Sequence, residues 1–451
     1  MRSIVIIGNG ISGITAAREI RKHSADSITV ISSETEHFFS RTALMYIYMG
    51  HMQYQHTKPY EDWFWAKNRI DLVHARVDRI DTGGRHLTLT DGRRIRYDVL
   101  VLALGSTPNE IGLPGHAGQQ LTGVQGLYSL QDLEQMDTDT KGIRQAVVAG
   151  GGLIGIEMAE MLLSRGIQVT FLVRESSFWN HTLPEAESAM ISQHIRDHTI
   201  DLRLSTELAE LIDDGTGRIS SVRTTRGDLI PAQFAGIAIG VRPQISLLRG
   251  TGIDTDRGIL VNAFLETNVP DVYAIGDCVQ HRTPPTGRKA VEQIWYTGRI
   301  MGETVAKTIL GKRTAYQPGV FFNSAKFFDI EYQTYGLVPA RLPADGSLQS
   351  LYWQHPEQAK ALRIVFTGDD RRAVTGMHTF GIRQRQGIWE QWIQTGAPVQ
   401  QVMAHIADTN FDPEFVQRHE PAIVSRFNEM FPEMAVSVPA APKNWLSRLF
   451  S

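Results

Sequence analysis

One cysteine, Cys278, is present in 451 residues. That scarcity excludes an intramolecular disulfide, a CxxC redox pair, a cysteine-rich zinc site and a cysteine-ligated iron-sulfur cluster. It fits a reducing cytoplasm. Charge of either sign is not in excess: 45 basic against 48 acidic residues give a formal net charge of -3. Such a balance supplies no field for gathering a polyanion, so nucleic acid is not an expected partner. Long apolar runs are missing too, none reaching the ~18 residues of a membrane span. Strand-like sequence begins at Ile4, which leaves no room for a secretory n-region and h-region. The expectation is a soluble, cytoplasmic body, in which the triplet Asn180-His181-Thr182 matches a glycosylation site by chance. At ~150 residues per domain, the length suggests about three domains.

What is present is an internal repeat, SIVIIGNGISGITAAREI at the start and QAVVAGGGLIGIEMAEML from Gln145. Each copy is a β-branched run, a GxGxxG turn and an amphipathic helix. Gly8 permits the tight turn, Gly10 lets the backbone approach a pyrophosphate, and Gly13 allows close helix-to-strand packing. The phosphates would sit at the helix N-terminus. The next strand, SITVISSE, ends at Glu34, where a carboxylate would bind the adenosine ribose hydroxyls. Gly150, Gly152 and Gly155 take the same roles in the second copy, whose following strand ends at Arg174 and Glu175. Two bound dinucleotides are expected.

Between the copies, alternating apolar residues around Asp91-Gly92 predict a hairpin with a solvated RRIR segment. The run DVLVLALG, ending at Gly105, and the run AGIAIGVRP read as crossings between a first domain and one inserted into it. The fold class is α/β, with two Rossmann-like dinucleotide-binding domains and an α+β C-terminal domain. The boundaries are residues 1–112 and 237–315 for the first domain, 113–236 for the second, 316–433 for the third, and 434–451 for a linker and tail.

These motifs resemble the two-dinucleotide-binding-domain flavoproteins, the fold of glutathione reductase and of the ferredoxin, putidaredoxin and rubredoxin reductases, over about residues 1–315. The resemblance implies FAD at the first copy and NADPH or NADH at the second. LETNVPDVYAIGDC is similar to the family's second FAD motif, in which Gly276 and Asp277 lie against the ribityl chain. It also implies that Arg41 of FFSRTALM contacts the FAD phosphates. Ferredoxin reductases commonly carry a lysine two residues beyond Leu44, paired with the glutamate here represented by Glu157. This chain has Tyr46 there, so the ion pair is missing. Glu157 is expected near the nicotinamide rather than on a helix surface, and Trp295 matches a tryptophan near the flavin, although an aromatic at helical spacing also suits a core. An acid at the end of the second nucleotide strand favours NADH and an arginine favours NADPH. Arg174 comes first after the apolar run, which tilts the reading to NADPH.

Cys278 follows Asp277 directly and is read as a small residue packed behind the cofactor. Disulfide reduction by a resident dithiol is excluded. HFFSRTALMYIY lacks the single thiol of coenzyme A disulfide reductases and NADH peroxidases, which disfavours those activities. His194 and His198 have the i,i+4 spacing of zinc ligands, but no third ligand accompanies them in sequence, and no metal is assigned. IDDGTGRI imitates the start of a calcium loop without its remaining ligands and reads as a turn. Beyond Tyr316 several antiparallel strands and then helices are expected, in the place of the family's interface domain, which implies a homodimer. Trp445, Leu446, Leu449 and Phe450 share one face of a tail that could lie on the inner face of a membrane.

The resulting expectation is an FAD-dependent NAD(P)H oxidoreductase passing electrons to a ferredoxin, rubredoxin or Rieske-type protein without a thiol relay. A peripheral NAD(P)H:quinone reductase is the second reading. A flavin-bearing redox sensor or assembly factor is the third.

Overall fold

The computed structural model describes residues 1–113, 121–412 and 417–438, so the amphipathic tail lies outside the described residues. By their contacts the residues group into two compact units, one of residues 1–176 and 199–318, the other of residues 177–198 and 319–451.

The first unit contains two five-stranded parallel sheets. In one, the order is Val272–Ala274, Val99–Leu102, Ser3–Ile7, Ser27–Ser32 and Ile70–His74. In the other it is Asp201–Arg203, Gln168–Leu172, Gln145–Ala149, Phe234–Ile237 and Val124–Gln125. Parallel strands are covered on both faces, which is why SIVII and VLVL read as unbroken apolar runs. Ile4, Val5, Ile6, Leu100, Val101 and Leu102 are all fully buried. At ~1.5–3 kcal/mol per buried side chain, such strands are the principal stabilising elements of this half.

The repeat persists in the backbone hydrogen bonds. Gly8 N–H donates to Ile31 C=O at 2.8 Å, and Gly150 N–H to Leu172 C=O at 3.0 Å. Ala103 N–H donates to Ile7 C=O at 2.8 Å, and Ala238 N–H to Ala149 C=O at 2.8 Å. The segment just after the first run read as a crossing pairs with the end of the second, Ser106–Pro108 lying antiparallel to Val241–Pro243. The hairpin at Asp91-Gly92 is formed by His86–Leu89 and Arg94–Arg96, and its arginines are exposed. The IDDGTGRI segment turns between the strands Leu208–Asp213 and Ile219–Thr224.

The second unit is built on an antiparallel sheet ordered Phe322–Phe327, Ile330–Gly336, Val374–Phe380, Ala361–Thr367 and Leu348–Gln354. Alternation divides its side chains between two faces. Leu362, Ile364, Phe366 and Met377 pack with Trp389, Val402 and Phe427 from the helices Gln386–Thr395, Val399–Ala404 and Glu420–Met430. Arg363 and His378 point the other way, to Glu187 on the helix Glu185–Asp197. Among the described residues, no helix is long and apolar enough to cross a membrane.

Candidate dinucleotide sites

Each glycine turn is shaped by contacts that a side chain would destroy. A Cβ on Gly8 would lie 2.0 Å from Ala103 O, and one on Gly150 would lie 2.1 Å from Ala238 O. Gly13 and Gly155 are each pressed onto the turn before them, with Cβ positions 2.1 Å from Gly8 O and 2.0 Å from Gly150 O. By contrast, Cβ atoms at Gly10 and Gly152 would meet nothing within 4 Å. These two residues are the N-caps of the helices Ile11–His23 and Leu153–Ser164, and neither helix has a side-chain cap or an acid in its first turn. Backbone N–H groups at both N-termini therefore meet no side-chain cap and no first-turn carboxylate of their own helix, a condition that favours a phosphate.

Glu34 and Arg41 meet. Arg41 Nη1 donates to Glu34 Oε1 at 2.9 Å, Arg41 Nη2 pairs with the other carboxylate oxygen, and Leu130 N–H adds a bond at 3.0 Å. The Arg41 guanidinium also lies 4.7 Å over the Tyr128 ring and donates to the Tyr128 carbonyl. Tyr128 was not singled out from sequence. Its hydroxyl accepts from Ser106 N–H at 2.9 Å and approaches the Cβ position of Gly105 at 3.1 Å. A sequence signal existed nearby: Ser129 and Asp132 form a reciprocal capping box that starts the helix Leu130–Asp139.

Asp277 follows the strand Val272–Ala274, and Ser106 Oγ donates to its Oδ2 at 3.3 Å. Gln293 Nε2 donates to the same Ser106 oxygen at 2.7 Å. Burial pushes the Asp277 carboxyl up to about 6, against the opposing effects of Ser106 and Arg41. A carboxyl held this high gains from any further hydrogen-bond donor, such as a polyol hydroxyl. The uncapped N-terminus of the first helix and the under-solvated Asp277 carboxylate have the chemistry that a flavin dinucleotide's phosphates and polyol would need in the first copy. Gly276 packs on Ser12, where a Cβ would be 2.5 Å from Ser12 Oγ.

The helix Trp295–Ile309 starts with Trp295, half-buried and edge-on to Tyr296 at 5.3 Å. It too has no side-chain cap and no acid in its first turn. Gly302 lets it cross the first glycine-turn helix closely, since a Cβ there would lie 2.5 Å from Ser12 O.

Tyr46 and Glu157 lie on packed helices, Leu44–Tyr48 and Leu153–Ser164. Arg165 fastens them: its Nη2 donates to Tyr48 C=O at 2.6 Å and to Asp137 at 2.7 Å, with the guanidinium 3.5 Å over the Tyr48 ring. Burial, with a smaller effect from the Glu160 carboxylate, pushes Glu157 up to about 7. It can therefore hold or release a proton near neutrality. Arg174 and Glu175 are joined at 3.0 Å, but their placement differs. Arg174 is 69% exposed, whereas Glu175 is 23% exposed and its Oε2 would be 3.5 Å from a Cβ on Gly151.

Cys278 is fully buried, with its thiol against Ile275 O at 3.3 Å and Leu102 O at 3.5 Å. Burial pushes this thiol up to about 12. It is a packing residue and not a nucleophile. Cys278→Ser is expected to retain most NAD(P)H-to-dye turnover, because both carbonyls remain available to the hydroxyl. Steady-state rates at matched flavin content check this; lost turnover with full flavin would contradict it.

The sequence profile of the pyridine nucleotide-disulphide oxidoreductases matches residues 2–293. A nitrite reductase [NAD(P)H] of Bacillus subtilis is 30% identical over 62% of this chain, which spans 35% of that relative's length. A ferredoxin–NAD(P)(+) reductase of Sphingomonas sp. is 29% identical over 74% of the chain and 81% of the relative. The fold is also that of putidaredoxin reductase in its covalent complex with putidaredoxin, with a TM-score of 0.77, 22% identity, and coverage of 87% and 92% of the two chains.

Proposed function

The chain belongs to the pyridine nucleotide-disulphide oxidoreductase family, and from that premise we propose that it is an FAD-dependent NAD(P)H oxidoreductase that reduces an external acceptor without a protein thiol. The observation that carries this reading is the pairing of two matching glycine-turn sites with a lone, inert cysteine. FAD would supply the capacity to accept a two-electron hydride and release single electrons. The chain's residues then have positional and electrostatic tasks. The Gly10 and Gly152 helix ends would hold phosphates, Asp277 a polyol hydroxyl, and the N-terminus at Trp295 would favour negative charge nearby. Glu157, on the helix that starts at the second glycine turn, would hold a proton beside the nicotinamide. Similarity to the Sphingomonas ferredoxin–NAD(P)(+) reductase supports a ferredoxin-type acceptor.

Steady-state assays of the flavin-loaded chain with ferredoxin, rubredoxin and a soluble quinone test this directly. Turnover with a protein acceptor well above the oxygen background is expected. Faster quinone reduction would favour the quinone reductase, and slow reduction without cycling would favour a sensor.

The donor proposed is NADH, because Glu175 faces the glycine turn while Arg174 faces solvent. Glu175→Ala is expected to raise the NADH Michaelis constant roughly tenfold or more, the worth of a charge-assisted hydrogen bond of ~1.5–3 kcal/mol. Arg174→Ala should spare NADH and weaken only NADPH. Michaelis constants for both donors decide the matter, and a larger NADPH loss in wild-type-like Glu175→Ala would reverse the assignment.

A further inference from the structure

We propose that His194, His198 and Asp329 form a zinc site in the second unit, independent of the dinucleotide chemistry. The two histidines share the last turn of the helix Glu185–Asp197 and its cap. The third group, invisible in the linear sequence, is delivered by a hairpin. Phe328 and Asp329 form the two-residue turn between Phe322–Phe327 and Ile330–Gly336, with Phe327 paired to Ile330. Phe328 takes φ 56°, a left-handed conformation that bends the hairpin sharply.

One ligand atom from each of the three side chains lies within 4.8 Å of the other two. His194 Nε2 is 2.7 Å from Asp329 Oδ1, and His198 Nε2 is 3.7 Å from the same oxygen. A tetrahedral zinc with bonds of ~2.0–2.1 Å needs ligand atoms about 3.3 Å apart, between these two separations. The exposed Asp329 carboxylate would shift from His194 towards His198, and the two imidazoles would close on the ion from within the 4.8 Å that spans the three ligand atoms.

The surroundings orient the ligands. His198 Nδ1 is 2.9 Å from the His194 carbonyl, a contact that requires Nδ1–H as donor and leaves Nε2 with a free lone pair in the neutral ring. The Phe328 ring stacks on His198 at 4.2 Å and 15°, fixing the imidazole plane. His194 is only 11% exposed, so its rotamer is confined as well. Asp329, 75% exposed, offers a carboxylate oxygen to both rings. The cation would sit at the C-terminal, electronegative end of its helix. Two neutral imidazoles and one carboxylate leave a fourth position for water, and this donor set suits zinc better than magnesium or calcium. The ion would tie the Glu185–Asp197 helix to the hairpin, closing a long stretch of chain.

The test uses the full chain, stripped with a chelator and titrated with Zn²⁺ against a chromogenic competitor. One zinc per chain is expected, with at least tenfold weaker binding in both His198→Gln and Asp329→Asn and a higher melting temperature for the zinc-loaded wild type. Asp329 is exposed, so Asp329→Asn keeps the fold, and circular dichroism verifies this. No stoichiometric uptake would mean that the three residues form only a hydrogen-bonded cluster. Uptake unchanged in both variants would place the zinc elsewhere. Either result overturns the proposal.

Discussion

Glu187→Ala is expected to destabilise the second unit by about 3–5 kcal/mol, the cost of removing one partner from a buried ion pair. Glu187 is fully buried, and its carboxylate takes two bonds from Arg363, one of 2.9 Å from Nη2, and one of 2.8 Å from His378 Nε2. Arg363 and His378 are themselves 12% and 1% exposed, so neither can turn to water. Burial alone would raise the Glu187 carboxyl, yet the bonds from His378 and Arg363 bring it down to about 2. Arg363 is the charged partner. His378, which burial lowers despite the Glu187 contact, donates as a neutral imidazole at pH 7.

The pH dependence follows from those directions. A carboxylate lowered on folding contributes stability above its unfolded value of ~4.3, which is lost as pH falls towards about 2. A histidine lowered on folding begins to favour the unfolded chain as pH drops below ~6.5. Acid should therefore loosen this unit in two stages. Hydrogen exchange in Ala361–Thr367 and Val374–Phe380 localises the effect of Glu187→Ala. A change below about 0.5 kcal/mol, the range of ordinary surface substitutions, would refute the account.

Gly155→Ala should disable nicotinamide binding while sparing the flavin. The new Cβ would lie 2.0 Å from Gly150 O and 3.1 Å from a Phe171 ring carbon, so the turn must leave the strand end or the helix must tilt. Overpacking costs about 1–3 kcal/mol. Borne by the binding turn, that is roughly 5- to 150-fold in the NADH Michaelis constant. Gly13→Ala makes the same clash in the first copy and should instead lower FAD content. An unchanged NADH Michaelis constant in folded Gly155→Ala would remove the second glycine turn from the proposed donor site.

The parts of the molecule that could be read from sequence are those whose causes are local. GxGxxG is visible because a Cβ at Gly13 collides with Gly8 O in the turn just before it, and the repeat doubles that signal. The hairpin at Asp91-Gly92 and the helix ended by Gly396, with φ 60°, obey equally local rules. Less legible were interactions assembled by topology. Asp329 reaches His194 only because a hairpin lies beside a helix far away in sequence, so the histidine pair looked incomplete on the page. Tyr128 carries no motif of its own and gains its place under Arg41 from the chain's path between the sheets. The Glu187, Arg363 and His378 cluster has the same origin: three ordinary polar residues become a buried network once the sheet alternation turns two of them towards one helix.

The seclusion of Cys278 also gives the protein a built-in clock. With no other sulfhydryl to compete, any modification by a maleimide or an aromatic disulfide reports one event, the exposure of the residue between Leu102 and Ile275. The native side chain is both shielded and held in its unreactive form, so labelling must wait for the surrounding sheet to open. The rate of that chemistry, followed by mass alone, measures how often the first sheet comes apart and how far bound dinucleotide holds it shut.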